Sequence, residues 1–133
     1  MSKIVEVKSP SFPNVRCCEH LSFDHEQCWQ VLCGDRSHWR AGIYSPAFSS
    51  EDQITELERH SCPELFMLTE GTVTLVVEEN GQRKKLQLEH GKPVMVSTWH
   101  NAYCPNGAYT GKVFVVERDE FITEYKSVKD LTM

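Results

Sequence analysis

Four side chains in the stretch "ERHSCPE" could act together: Glu58, His60, Cys62 and Glu64 recur at every second position. In an extended strand, residues two apart share a face. The four would therefore present carboxylate, imidazole, thiol and carboxylate to one side. Imidazole nitrogen and carboxylate oxygen suit Fe(II), Mn(II), Ni(II) or Zn(II). His100, in "STWHNAYC", would join them from a distant strand, because neighbouring strands of a barrel bring their inward residues together. The pattern predicts one divalent metal ion on His60, Glu64 and His100, with Glu58 or Cys62 as fourth ligand. The competing reading is a polar strand leading into a core strand. Glu58 then lies in a solvated charged turn and Cys62 is a small buried filler.

Other chemistries find less support. Ser61 lacks a strained nucleophile turn, and no glycine-rich phosphate loop occurs. Cys17, Cys18, His20, His25, Cys28, Cys33 and His38 crowd the N-terminal third. They contain no Cys-x-x-Cys pair, so buried thiols and solvated imidazoles are expected rather than a zinc site. Arg40, Arg59 and Arg118 are candidates for an anionic group on a substrate, against a solvated-surface reading. Catalysis would then be metal-centred: isomerase or lyase chemistry, or dioxygenase chemistry with Fe(II).

The elements that must position these residues are mostly strands. "QCWQVLCG", "HWRAGIYSP", "ELFMLTEG", "TVTLVVEENG", "KKLQLEHG", "PVMVSTWH" and "GKVFVVERDEF" all show short apolar alternation. "ENGQ" is a hairpin signal, since Asn80-Gly81 tolerates the positive φ of a tight turn. "SSEDQITELER" opens with a serine cap and acids and predicts a turn or short helix. "DEFITEYKSVKDL" carries Phe121, Ile122, Tyr125, Val128 and Leu131 near helical spacing, and predicts either a short C-terminal helix or a final edge segment. The class expected is all-β, an antiparallel sandwich or barrel.

The 133 residues suit one domain, and 25% charged residues is ordinary globular composition. A net charge of -5, with no basic block longer than Arg83–Lys85, argues against nucleic-acid binding. No signal-like segment or membrane-length apolar run occurs, so a soluble cytoplasmic protein is the expectation.

"HSCPELFMLTEG" followed by "GKPVMVSTWHNAY" resembles the two motifs of a small single-domain cupin. Glu64, six intervening residues and Gly71 match the end of the first motif, with His60 placed as its second histidine. Gly91 opens the second motif and His100 supplies its histidine, at shorter than usual spacing. Glu58 stands where the first histidine is expected. An alternative alignment sets His60 and Cys62 on the histidine pair, with a two-residue deletion before Glu64. The resemblance implies a double-stranded β-helix (jelly roll), with residues 39–118 as barrel and 1–38 as strands packing on or completing it. Residues 119–133 would be a C-terminal segment of the same domain. It also implies a homodimer and a cavity for a small organic molecule, lined by Phe66, Val96 and Thr98 with Tyr103 beside His100. Trp39 and Tyr44 are expected in the core. Some cupins have lost their metal and bind sugars or other small molecules, so a metal-free binding protein is the alternative.

Overall fold

Period-two alternation sets the elements. The computed structural model describes residues 16–128, within which ten strands form. They are β1 (Trp29–Asp35), β2 (Trp39–Tyr44), β3 (Glu56–His60), β4 (Glu64–Glu70), β5 (Thr74–Glu79), β6 (Gln82–Gln87), β7 (Val94–Val96), β8 (Trp99–Tyr103), β9 (Lys112–Arg118) and β10 (Thr123–Ser127). One sheet runs β1-β2-β9-β4-β7 and the other β10-β3-β8-β5-β6. All the strand ladders are antiparallel. The result is the expected jelly-roll β-barrel.

The β5–β6 hairpin turns on Asn80 and Gly81, at φ 54° and 77°. Both values are positive, as a type I′ turn requires. The expected turn before β3 is a single 3₁₀ turn, Glu51–Gln53. Thr123–Ser127 is an edge strand paired with β3, so the edge-segment reading holds there and the helical one does not. Pairing to a sheet edge overrides a marginal 3.6-residue pattern. Residues 1–15 and 129–133, which include the first part of the expected N-terminal strands and Leu131, lie outside the described residues. Among those described, no helix is long and apolar enough to cross a membrane.

Two stretches that read as single strands are broken. "ERHSCPE" ends as β3 at His60, turns through Ser61–Pro63 and resumes as β4 in the opposite sheet. Pro63 offers no N–H to a ladder, while Ser61 N donates to the Ile122 carbonyl and Ser61 Oγ accepts from Ile122 N. "PVMVSTWH" likewise divides into β7 and β8, which belong to different sheets. Side-chain parity cannot be carried across either crossing.

Phe66, Leu68, Leu75, Val96, Val113 and Val115 fill the space between the sheets. A second cluster of Ile54, Leu57, Val76 and Trp99 lies on the outer face of the β3–β8–β5 sheet. Gly71, the glycine of the first motif, has φ 69° and lies against the Thr110 carbonyl. Both the conformation and the close approach exclude a side chain there.

Candidate metal centre and cavity

The two sheets bring four polar side chains together. Glu58 and His60 project from the inner face of β3, and His100 lies directly across the ladder from Glu58 on β8. Glu64 arrives from the opposite sheet as the first residue of β4. Its Oε1 lies 2.8 Å from His60 Nε2 and 3.2 Å from His100 Nε2. Glu58 Oε1 is 3.6 Å and 3.7 Å from the same two nitrogens. Glu58 and His60 share a strand face as expected, but Glu64 joins them through a strand crossing and not along that face.

The outer nitrogens of both rings are held. His100 Nδ1 lies 2.8 Å from the Thr98 carbonyl. A carbonyl only accepts, so Nδ1 carries a proton and Nε2 is the nitrogen that faces Glu64. His60 Nδ1 is 2.9 Å from Thr123 Oγ1. Glu64 Oε1 is buried and has no assigned hydrogen-bond partner, although it lies within ion-pair distance of both Nε2 atoms. An acceptor so placed is costly unless a proton or a cation lies among these lone pairs.

The electrostatics show how the group balances itself without metal. Burial alone would lower the His60 pKa, but the carboxylates of Glu58 and Glu64 outweigh it and raise it from 6.5 to about 10. Burial would raise Glu64, yet the two imidazoles hold it at about 2. Glu117, on β9, is a further acid that sequence reasoning missed. Burial and the charge of Glu64 push it up to about 7, against the opposing Arg40 guanidinium. Arg40 is its cross-strand partner on β2 and donates from Nε to Glu117 Oε1 at 2.9 Å.

These residues border a cavity of about 330 Å³. Of the lining expected from sequence, Phe66 is present, and Val96, Thr98 and Tyr103 are not. Val96 belongs to the packed core. Thr98 lies in the β7–β8 crossing, where its hydroxyl donates to the Glu78 carbonyl. Tyr103 has the parity of Trp99 and packs on the outer cluster. Cys62, in the turn between β3 and β4, does not reach the cavity. Tyr44, expected in the core, packs against the core cluster and also lines the cavity. The remaining aromatic walls are Trp29 and Phe121, the latter with its ring 4.5 Å from that of His60.

Of the three arginines, only Arg40 faces this space. Arg59 stacks 4.5 Å over Trp99 on the outer face, and Arg118 is exposed at the end of β9. The signal for Glu117 was weak for a physical reason. In "VFVVE" both parities are apolar, so alternation does not say which face is inward.

Two overlapping groups could hold a metal ion: Glu58, His60 and His100, and His60, Glu64 and Glu117, with ligand atoms within 4.8 Å of one another. Donor atoms around an ion bonded at about 2.1 Å sit roughly 3 Å apart. The Glu64–imidazole separations match that spacing, and two imidazoles with carboxylates form a borderline-hard donor set. The orphaned Glu64 oxygen also fits a cation. No third group of this kind occurs among the described residues, and of the N-terminal thiols expected to be buried, Cys17, Cys18 and Cys28 are exposed and Cys33 is half-buried. The sulfurs of Cys17 and Cys18 are 3.5 Å apart but exposed.

No family model and no curated protein sequence matches the chain. Solved structures match it by shape. A cupin-2 domain containing protein from Shewanella frigidimarina NCIMB 400 aligns with TM-score 0.53 and 13% identity, over 72% of this chain and 84% of that one. Hydroxypropylphosphonic acid epoxidase from S. wedmorenis, in complex with fosfomycin, aligns with TM-score 0.53 and 15% identity. The match covers 67% of this chain but only 49% of the epoxidase, so the chain spans about half of that protein's length. A Co(II) HppE complex with substrate gives TM-score 0.54 at 14% identity, over 78% of this chain and 60% of that one. Identities this low speak to architecture alone, and the architecture is unambiguous: the protein has the cupin fold.

Proposed function

We propose that the protein is a metal-binding cupin in which Glu58, His60, Glu64 and His100 hold one divalent ion beside a cavity for a small organic molecule. The single observation that carries this reading is the convergence of the buried Glu64 Oε1 on two imidazole Nε2 atoms, at 2.8 Å and 3.2 Å. Cys62 takes no part in this set: it sits in the turn between β3 and β4 and does not line the cavity. The metal is one of Fe, Mn, Ni or Zn on donor chemistry.

A bound ion of this kind supplies Lewis-acid polarisation of a carbonyl or hydroxyl, or redox chemistry as Fe(II). The protein's own groups do the rest. Thr98 and Thr123 fix the imidazole orientations from behind, as partners of metal-binding histidines do. Glu117 carries or releases a proton at its carboxylate near neutral pH, which suits a general acid or base. Tyr44, raised well above 10 chiefly by burial, stays a phenol at the cavity wall, an O–H donor for a ligand. Phe66, Trp29 and Phe121 exclude water from the organic part of a ligand. The arrangement favours an enzyme (an isomerase, lyase or dioxygenase) over a pure binding protein, because four ligands leave positions open on a six-coordinate ion. A cytoplasmic homodimer completes the proposal, with the edge strand β10 and its exposed Tyr125 as the covered feature.

Metal analysis of untagged protein purified without chelator tests the central claim. About one equivalent of metal per chain is expected, falling to background in His60→Ala/His100→Ala. Equal, negligible metal in both would favour the second reading, a metal-free small-molecule pocket. That reading draws on the mutual neutralisation of His60 by Glu58 and Glu64.

A further inference from the structure

Arg40 is held unlike the other arginines. Its side chain is one quarter exposed, its Nε is bound to buried Glu117, and its Cζ lies 5.5 Å from the Trp29 ring and 5.3 Å from the Phe121 ring. Trp29 can lie there because Gly42, which shares the inner face of β2 with Arg40 and Tyr44, has no Cβ. A Cβ at Gly42 would come within 2.6 Å of the indole. Two aromatic contacts and one carboxylate thus orient a planar, permanently charged fork at the cavity wall. No ion pair or hydrogen bond within the described residues engages its Nη1 or Nη2.

The carboxylates of the cavity are in the opposite situation. Glu117 has Arg40, and Glu64 and Glu58 each lie within 4 Å of both imidazoles. Apart from Glu64 Oε1 and the imidazole Nε2 atoms, which the proposed metal ion would engage, the unspent polar capacity of the cavity is cationic and bidentate, and the surface around it is aromatic. We infer that the ligand of this cavity is a small organic acid, with its carboxylate on the Nη groups of Arg40 and an apolar or aromatic body among Trp29, Tyr44, Phe66 and Phe121. The fork matches a carboxylate, with two parallel N–H···O bonds, and about 330 Å³ accommodates a single-ring acid. This inference rests on the cavity proposed above as the ligand site, but not on the metal.

Benzoate, benzamide and benzylamine serve as probes, being one shape in three charge states. Calorimetric titration of the full chain should show benzoate binding roughly tenfold or more tightly than either relative. In Arg40→Gln, benzoate should fall to the affinity of benzamide. Arg40→Gln leaves Glu117 without its partner, so Arg40→Gln/Glu117→Gln, neutral at both positions, is measured beside it and should lose the preference equally. His60→Ala/His100→Ala should keep the preference while losing metal. Three probes binding alike, none binding, or a preference that survives in both Arg40 variants would overturn the inference. A preference lost only with the two histidines would place the acid on the metal, sinking this inference while leaving the metal proposal intact.

Discussion

Strand β9 carries two buried polar centres, roughly 17 Å apart along the strand at about 3.4 Å per residue. At its start, Lys112 is 1% exposed, and its ammonium donates to the carbonyls of His25 and Tyr109 and to Ser45 Oγ. Three donors meet three acceptors, and Ser45 Oγ in turn donates a hydrogen bond to the Gly111 carbonyl. At its other end, Glu117 joins a group in which a buried carboxylate oxygen has no hydrogen-bond partner and the Arg40 fork is half used. Both centres bury charge, but only the second leaves bonding capacity facing open space. A saturated centre ties loops together; an unsaturated one waits for a ligand. Burial of charge alone does not mark function, whereas unspent lone pairs and donors beside a cavity do.

The contrast should show first in stability. Lys112→Met strips three carbonyl or hydroxyl acceptors of their donor and should cost roughly 3–5 kcal/mol, read from urea unfolding, with metal content per folded chain unchanged. A loss below about 1 kcal/mol would mean that the lysine is not the tie it looks like. Gly42→Ala is next. Its Cβ would press on the Gln30 carbonyl and the Trp29 ring, so a cost of about 1–3 kcal/mol is expected. Tryptophan emission should change, and any organic acid should bind more weakly.

The pH dependence of metal-free protein tests the second centre directly. Glu64, lowered from 4.5 to about 2, adds stability that is present above pH 4.5 and lost as pH falls toward 2. His60, raised from 6.5 to about 10, adds stability that is present below pH 6.5 and lost as pH rises toward 10. Glu117, raised from 4.5 to about 7, likewise makes stability fall between those values. Thermal melts in chelator should therefore decline from near pH 5 upward, less steeply above pH 6.5 in His60→Gln. Added divalent metal should oppose the decline, because ligands that have shed protons bind it better. A flat profile in both conditions would break the assignment.

The smallest stability effect is expected from removing the centre outright. His60→Leu/Glu64→Leu/His100→Leu should lie within about 2 kcal/mol of wild type, on either side, since apolar packing often replaces a buried ionic group without loss. Metal uptake should disappear. A collapse in stability comparable with Lys112→Met would make this second centre a structural tie as well.

By itself, the sequence determined the all-β class, the Asn80-Gly81 hairpin and the pairing of an early Glu-Gly motif with a late histidine. These are local: alternation, turn chemistry and spacing act through neighbouring residues. The likeness to a cupin was legible in Glu64, Gly71 and His100, and His60, Glu64 and His100 do converge. The reason first read from the pattern, one shared strand face, holds for Glu58 and His60 but not for Glu64. Pro63 and the Ser61 turn send β4 into the opposite sheet, and only that crossing puts Glu64 between the histidines. The same kind of break between β7 and β8 took Thr98 off the cavity wall, and strand parity turned Tyr103 to the outer face. Glu117, Tyr44 and Trp29 could not be read as site residues, because each reaches the cavity through sheet pairing between distant segments. Period two says that residues alternate. Which alternate set faces inward is decided when a sheet closes on its partner, and that is a property of the tertiary structure.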